Sequence, residues 1–259
     1  MDLNKVTTSA FRRKYFLLSD AARLRDASMT GVEEVKSQNF AASPIITISV
    51  GKEKAVYRIH KAVLIKESSF FEKMFASGMI ESQTHQVSLP EDQPEAFEQF
   101  VSWVYAGNDS QMKDAEPTMI MTCWALADKF GVPSWHNWLI NKLIDHWDFH
   151  GFSFDHVSWV SANANHESAL CRLVIDQFVW HLEENPNTYF KNETSPEVSQ
   201  LLSRPDFPHA IFAFSVFSPR FGGRFIRPGL DPCKYHAHKG GAVCPVSLLK
   251  FPWSQALWG

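Results

Sequence analysis

The sequence contains few cysteines and no long hydrophobic segment. Its four cysteines, Cys123, Cys171, Cys233 and Cys244, are too sparse for a scaffold held by disulfide bonds, which points to a reducing compartment. The run AIFAFSVF at 210–217 is far shorter than the roughly 20 residues needed to cross a bilayer. The composition therefore predicts no membrane partner, and it favours an intracellular location in the cytoplasm, the nucleus or both.

A basic excess and catalytic motifs are also missing. Lysine and arginine total 25 against 28 acidic residues, a formal net charge of −3, whereas nucleic-acid binding needs clustered positive charge. The motifs of serine hydrolases, zinc proteases, P-loop enzymes and dinucleotide-binding domains do not occur, and neither does a Cys-x-x-Cys pair. We therefore predict a protein that is not an enzyme, uses no cofactor and does not bind nucleic acid.

Residues 1–42 are predicted to form an N-terminal extension. Its opening is rich in arginine and serine, as mitochondrial presequences are, but Asp2, Asp20 and Asp26 count against that interpretation. The alternative is a short amphipathic helix packed on the next domain or on a partner.

Residues 45–59 have the pattern of a β-hairpin. IITISV at 45–50 is rich in β-branched residues, GKEK at 51–54 is a turn sequence, and VYRI at 56–59 alternates between two faces. One face of this hairpin is expected to be buried.

Helical spacing replaces the strand period after His60. The sequence RIHKAVLIKESSFFEKMF predicts two short helices separated by a pair of serines. Ser68 or Ser69 is placed to cap the second helix through its hydroxyl, and Glu72 suits the positive end of that helix.

A third strand and a series of helices are predicted downstream. QVSL at 86–89 is the strand, and Phe97, Phe100, Val101 and Val104 form one apolar helical face after it. The predicted helices cover 92–106, 118–130, 134–147, 154–164 and 167–182. From Pro205 onward no period is sustained, and we expect an irregular, flexible tail.

The segments YRIHKAVLIKESSFFEKMF, GMIES and VSLPEDQPEAFEQFVSWVYAG, in this order, resemble the BTB/POZ domain, particularly that of filamentous-fungal proteins. The resemblance implies an α+β fold, with a small three-stranded sheet flanked by helices, followed by a helical extension of the BACK type. It also implies that Phe70, Phe71 and Phe75 pack in the core and that His60 has a structural role. The expected organisation is an extension at 1–42, a BTB/POZ domain at 43–147, a helical extension at 148–204 and the irregular tail at 205–259.

The same resemblance implies a function in protein–protein interaction. BTB proteins that recruit cullins carry a hydrophobic residue, any residue and then glutamate at the position of Met79-Ile80-Glu81. Met79 and Glu81 are therefore the predicted partner-binding residues of a substrate adaptor for a cullin-based ubiquitin ligase, with cullin-3 as the partner. The alternative is a homo-oligomerising scaffold in transcription or chromatin regulation. The family's aspartate before the first strand is replaced by Ser43-Pro44, which puts a homodimer in doubt.

Two tail segments leave alternatives open. Cys233, His236, His238 and Cys244 form C-x2-H-x-H-x5-C, whose ligand types suit zinc, but the His-x-His step is unlike common structural fingers, and we favour a segment without metal. Residues 245–259 have no place in the predicted fold, and a gene-model artefact is one explanation for them.

Overall fold

The computed structural model describes most of the chain between Phe40 and His238. The described residues are 40–106, 112, 115–165, 167–184, 203, 220–221, 224–225 and 227–238. A 3₁₀ turn at Phe40–Ala42 belongs to one unit, and the described chain from Pro44 onward forms a second compact unit.

A three-stranded sheet begins the second unit. Its strands are β1 (Ile45–Val50), β2 (Ala55–His60) and β3 (Gln86–Leu89), arranged in the order β2-β1-β3. The β1–β2 hairpin is antiparallel and pairs Val50 with Ala55, whereas β3 is parallel to β1. The predicted strands are thus confirmed.

The alternation along β1 explains how the sheet is oriented. Ile46, Ile48 and Val50 are buried, and the residues between them are less so, because successive side chains of a strand point to opposite faces. The buried face meets the helices.

Eight α-helices occur in the described part of the chain. They are α1 (Lys61–Glu67), α2 (Ser69–Ala76), α3 (Ile80–Thr84), α4 (Pro94–Ala106), α5 (Pro117–Phe130), α6 (Pro133–His150), α7 (Asp155–Asn163) and α8 (Ala169–Glu184). The short helix α3 was not predicted from the sequence. Of the helices described, none combines the length and apolar content required to cross a membrane.

An aromatic core joins the sheet to α2, α4, α5 and α6. The rings of Phe71 and Phe130 have centroids 5.1 Å apart, and those of Phe100 and Trp135 are 5.6 Å apart. Phe71, Phe97 and Phe100 are fully buried, and Val101 packs against the same cluster. The predicted α+β fold, a small sheet flanked by helices and followed by a helical extension, is confirmed.

Helices α7 and α8 continue the core beyond α6. Leu170, Leu173, Val174 and Phe178 lie on one buried face of α8, because residues three and four positions apart share one side of a helix. The Phe152 ring meets both Trp147 of α6 and Phe178 of α8, with centroid distances of 5.2 and 6.5 Å.

Residues 227–238, called the strap below, lie against α6 and α8. They contain two 3₁₀ turns, Pro228–Leu230 and Pro232–Tyr235, and both turns contact both helices. Tyr235 is buried. The sequence pattern did not indicate this contact.

Candidate protein-interaction site

The segment from Ser77 to His85 connects α2 to β3 and contains the predicted partner-binding residues. Gly78 follows the end of α2 with φ +72°, a conformation that residues with a side chain rarely adopt. The Ser77 hydroxyl donates to the Met74 carbonyl at 2.7 Å, closing the end of α2. The chain then leaves the core and enters α3.

Two adjacent apolar side chains project from this segment. Met79 is 63% exposed and Ile80 is 65% exposed, the two largest values among the exposed large hydrophobic residues of the described chain. Both lie at the start of α3, and Glu81 is half-buried in its first turn. Of the two residues singled out in the sequence, Met79 is thus exposed and Glu81 is half-buried, and the exposure of Ile80 between them was not predicted.

Short polar side chains hold α3 together by bonding to its own backbone. The Ser82 hydroxyl donates to the Met79 carbonyl at 2.6 Å, and the Thr84 hydroxyl donates to the Ile80 carbonyl at 2.8 Å. The Gln83 amide donates to the Gly78 carbonyl at 3.1 Å. These bonds pair the side chains of Ser82, Gln83 and Thr84 with the backbone of the same segment, next to the exposed Met79 and Ile80.

The core supports this segment on both sides. On one side Phe71 and Phe75 of α2 are buried, and on the other the His85 carbonyl accepts a hydrogen bond from the Thr47 amide of β1 at 2.9 Å. His85 has φ +57° and turns the chain from α3 into β3. A partner would therefore meet a surface whose position is fixed by the sheet and by α2.

Glu81 supplies the charged part of this surface. Its carboxylate makes no side-chain hydrogen bond or ion pair with the residues that the structure describes. A carboxylate only accepts hydrogen bonds, so a partner would have to supply a donor such as a backbone amide, a hydroxyl, lysine or arginine. Met79 and Ile80 supply apolar area beside it, and the flexible thioether of Met79 can adapt to a shallow pocket.

His60 lies at the junction of β2 and α1. Its backbone amide donates to the Tyr105 hydroxyl at 3.0 Å, and its Nδ1 lies 2.8 Å from the same oxygen. Tyr105 thereby binds the end of an edge strand from α4, a contact that sequence reasoning did not predict.

The potential zinc ligands of the tail are only partly described. Cys233 Sγ lies 3.3 Å from His238 Nε2, whereas His236 Nε2 lies 3.0 Å from Asn141 Oδ1 of α6. Cys244 is outside the described residues. Within the described residues, no group of three or more histidine, cysteine or acidic side chains is placed to hold a metal ion.

Comparison with known proteins relates part of the chain to the BTB/POZ domain. The family model of the BTB/POZ domain matches residues 46–146, from β1 to within α6. A BTB/POZ domain-containing protein of Arabidopsis thaliana is 31% identical over 102 residues. That similarity covers 39% of this chain and 12% of the plant protein, so the chain spans about an eighth of the length of the curated relative that it matches.

Proposed function

With residues 46–146 forming a BTB/POZ domain, a module of protein–protein interaction, we propose that this protein is a non-enzymatic adaptor for a cullin-based ubiquitin ligase. In this role Met79 and Glu81 bind cullin-3, and another part of the chain binds the client. The helices beyond residue 148 and the two termini are the regions proposed for the client.

The exposed apolar pair at the start of α3 carries this proposal. Burying a side chain of this size contributes about 1.5 to 3 kcal/mol, so Met79 and Ile80 together can contribute several kcal/mol to association. A small number of such residues normally supplies most of the energy of an interface. Glu81 lies beside the pair and can fix the orientation of the partner through a charged hydrogen bond.

The proposed role implies a location in the cell, and the sequence resemblance favours a group of organisms as its source. A ubiquitin-ligase adaptor acts in the cytoplasm or the nucleus, in agreement with the small number of cysteines. The segments that resemble filamentous-fungal BTB proteins, including ESALCRLVIDQFVW and CKYHAH, favour that group as its source.

The test is binding to the purified amino-terminal domain of cullin-3, measured by calorimetry or by pull-down. We expect wild type to bind and the Met79→Ala, Glu81→Ala double variant to bind at least about 30-fold more weakly, because truncation of central interface residues costs about 2 kcal/mol or more. Val56→Ala is the matched control, since Val56 is similarly exposed but lies on β2. Equal binding by wild type and the double variant, or binding by neither, disproves the cullin assignment.

The alternative remains a scaffold that self-associates and has no ligase. Light scattering at micromolar concentration distinguishes the two, because the scaffold requires an oligomer. A strict monomer that binds cullin-3 excludes the scaffold, and an oligomer that does not bind cullin-3 supports it.

A further inference from the structure

The strap follows one face of α6 in the opposite direction to the helix. The α6 residues that it meets are spaced by four, three and four positions, which places them on a single helical face. From the start of the strap, Arg227 forms an ion pair with Asp148, and Gly229 lies next to Ile144. Further along the strap, His236 contacts Asn141 and Ala237 bonds to Asn137. The fit is close at Gly229, where an added Cβ would lie 3.1 Å from the Ile144 side chain.

Asn137 binds the backbone of the strap rather than a side chain. Its Nδ2 donates to the Ala237 carbonyl at 2.9 Å, and its Oδ1 accepts from the Ala237 amide at 2.7 Å. One side-chain amide thus satisfies both polar backbone groups of a single residue. The neighbouring His236 has extended backbone angles, φ −87° and ψ 145°. An extended segment of almost any sequence can be held in this way.

Asp176 of α8 binds the side chains of Lys234 and Tyr235 in the strap. This carboxylate is only 5% exposed, and its Oδ2 accepts hydrogen bonds from Lys234 Nζ at 2.7 Å and from the Tyr235 hydroxyl. Tyr235 is 2% exposed and fills the space between α6 and α8. Asp176 Oδ1 is buried and has no hydrogen-bond partner among the described residues.

These contacts are the components of a peptide-binding groove. Peptide-binding proteins obtain affinity from bonds to an extended backbone and specificity from pockets for particular side chains. Asn137 supplies the first component and Asp176 the second. The strap is part of the same chain but is separated from α8 by residues 185–226. It can therefore act as a tethered ligand.

We infer that α6 and α8 form a groove for a peptide in which lysine is followed directly by tyrosine in a 3₁₀ turn and then by an extended segment, and that the strap occupies this groove in cis and blocks it. A buried carboxylate left without its cation is costly by several kcal/mol, so the strap should leave only when a segment of the same chemistry replaces it. The inference goes beyond the adaptor role and does not depend on cullin binding.

The test uses the full chain and a fluorescent peptide of residues 231–240, DPCKYHAHKG, with Cys233→Ser to prevent oxidation. The receptor is the chain carrying Lys234→Ala and Tyr235→Ala, in which the strap has lost its specific contacts. A tethered competitor acts at an effective concentration of about 1 mM. For a peptide of ~50 μM affinity, we therefore expect binding to this variant to be at least ~10-fold tighter than to wild type.

Further variants assign the binding to the groove. Adding Asn137→Ala to the receptor should weaken peptide binding about 10-fold through loss of two hydrogen bonds, whereas Asn163→Ala on α7 should leave it unchanged. A peptide with alanine in place of lysine and tyrosine should not bind. Three results would overturn the inference. The peptide could bind equally to wild type and receptor, it could fail to bind a receptor that keeps its helical circular dichroism, or Asn137→Ala could leave its binding unchanged.

A measurement on the wild-type chain covers the case in which the receptor variant does not fold. Excess peptide, added at millimolar concentration, should displace the strap and increase hydrogen exchange at the Ala237 amide by at least several-fold. The alanine-substituted peptide should not. Unchanged exchange at Ala237 in the presence of the authentic peptide also overturns the inference.

Discussion

The Ser68 hydroxyl donates a 2.6 Å hydrogen bond to the carbonyl of Phe130, 62 positions away in the chain. The same hydroxyl accepts the amide of Phe71 at 3.3 Å, as an N-cap of α2. The first turn of one helix and the last turn of another each leave backbone groups unpaired, and this buried serine satisfies one at each. The serine pair ahead of Phe70 therefore joins α2 to the end of α5.

Substituting Ser68 by alanine should lower the free energy of unfolding by about 2 to 4 kcal/mol. Loss of an N-cap costs about 1 kcal/mol, and a buried carbonyl left without a donor costs about 1 to 3 kcal/mol. Urea unfolding followed by circular dichroism measures this difference. Ser88→Ala, at an exposed serine of β3, is the control and should change stability by less than about 0.5 kcal/mol. A similarly small loss for Ser68→Ala would disprove the double role of this hydroxyl.

Gly131→Ala should be destabilising for two separable reasons. Gly131 ends α5 with φ +60°, where a Cβ costs about 1 to 2 kcal/mol, and that Cβ would lie 2.2 Å from Ser69 Oγ. Combining it with Ser69→Ala removes the clashing atom but not the backbone strain. We therefore expect the double variant to be more stable than the sum of the single effects by at least about 0.5 kcal/mol. Additive effects in urea unfolding would contradict the close contact.

Local signals in the sequence were sufficient for most of the fold. The three strands and the turn at 51–54 depend on spacing and side-chain chemistry within a few residues, and each lies where it was predicted. The cap of α2 was predicted at Ser68 or Ser69, and it is Ser68. Gly131 ends α5 in the left-handed conformation, as glycine commonly does at the end of a helix. The short helix α3 was not predicted, because five residues are too few to establish a helical period.

The interaction site was only partly predictable. The position of Met79 and Glu81 came from resemblance to a family, whereas the exposure of Ile80 depends on how α3 lies on the folded core, which the local pattern does not contain. The contact between the strap and α6 was not predictable, because Asn137 and Ala237 are 100 positions apart and no local sequence pattern connects them. Contacts of this kind depend on the folded arrangement of α6 and α8.

The stability of the helical part should fall at acidic pH. Burial lowers the pKa of His156 to about 4, and the nearby His146 adds to this effect. Burial likewise lowers the pKa of His236 to about 4, with contributions from His238 and His136. The unfolded chain has histidine pKa values near 6.5, so it binds more protons than the folded chain between these pH values. The stabilising effect is complete above pH ~6.5 and is lost as the pH falls towards 4.

Measuring the urea midpoint from pH 8 to pH 4 tests this prediction. His156→Phe removes one titrating group from a site lined by Trp147 and Phe152, so its stability should fall less steeply below pH 6.5 than that of wild type. Between pH 8 and pH 7 both proteins carry a neutral side chain at this position. The slope of the urea midpoint against pH should therefore be the same for both proteins in this range, which provides the internal control. Parallel profiles down to pH 4 would show that His156 does not contribute.

Cys123 should be inert in the folded protein and reactive once it unfolds. Burial in α5 raises the pKa of its thiol to about 12, and the thiolate is the species that reacts with iodoacetamide. At pH 8 only about one part in 10⁴ is ionised in the folded chain, compared with roughly a quarter at the unperturbed pKa near 8.5. Cys233 is only half-buried and lies in the strap, so it should be modified first. Mass spectrometry of peptides from protein labelled with and without urea measures the modification of both cysteines. If Cys123 is labelled as fast as Cys233 in native buffer, α5 does not keep Cys123 buried in the core.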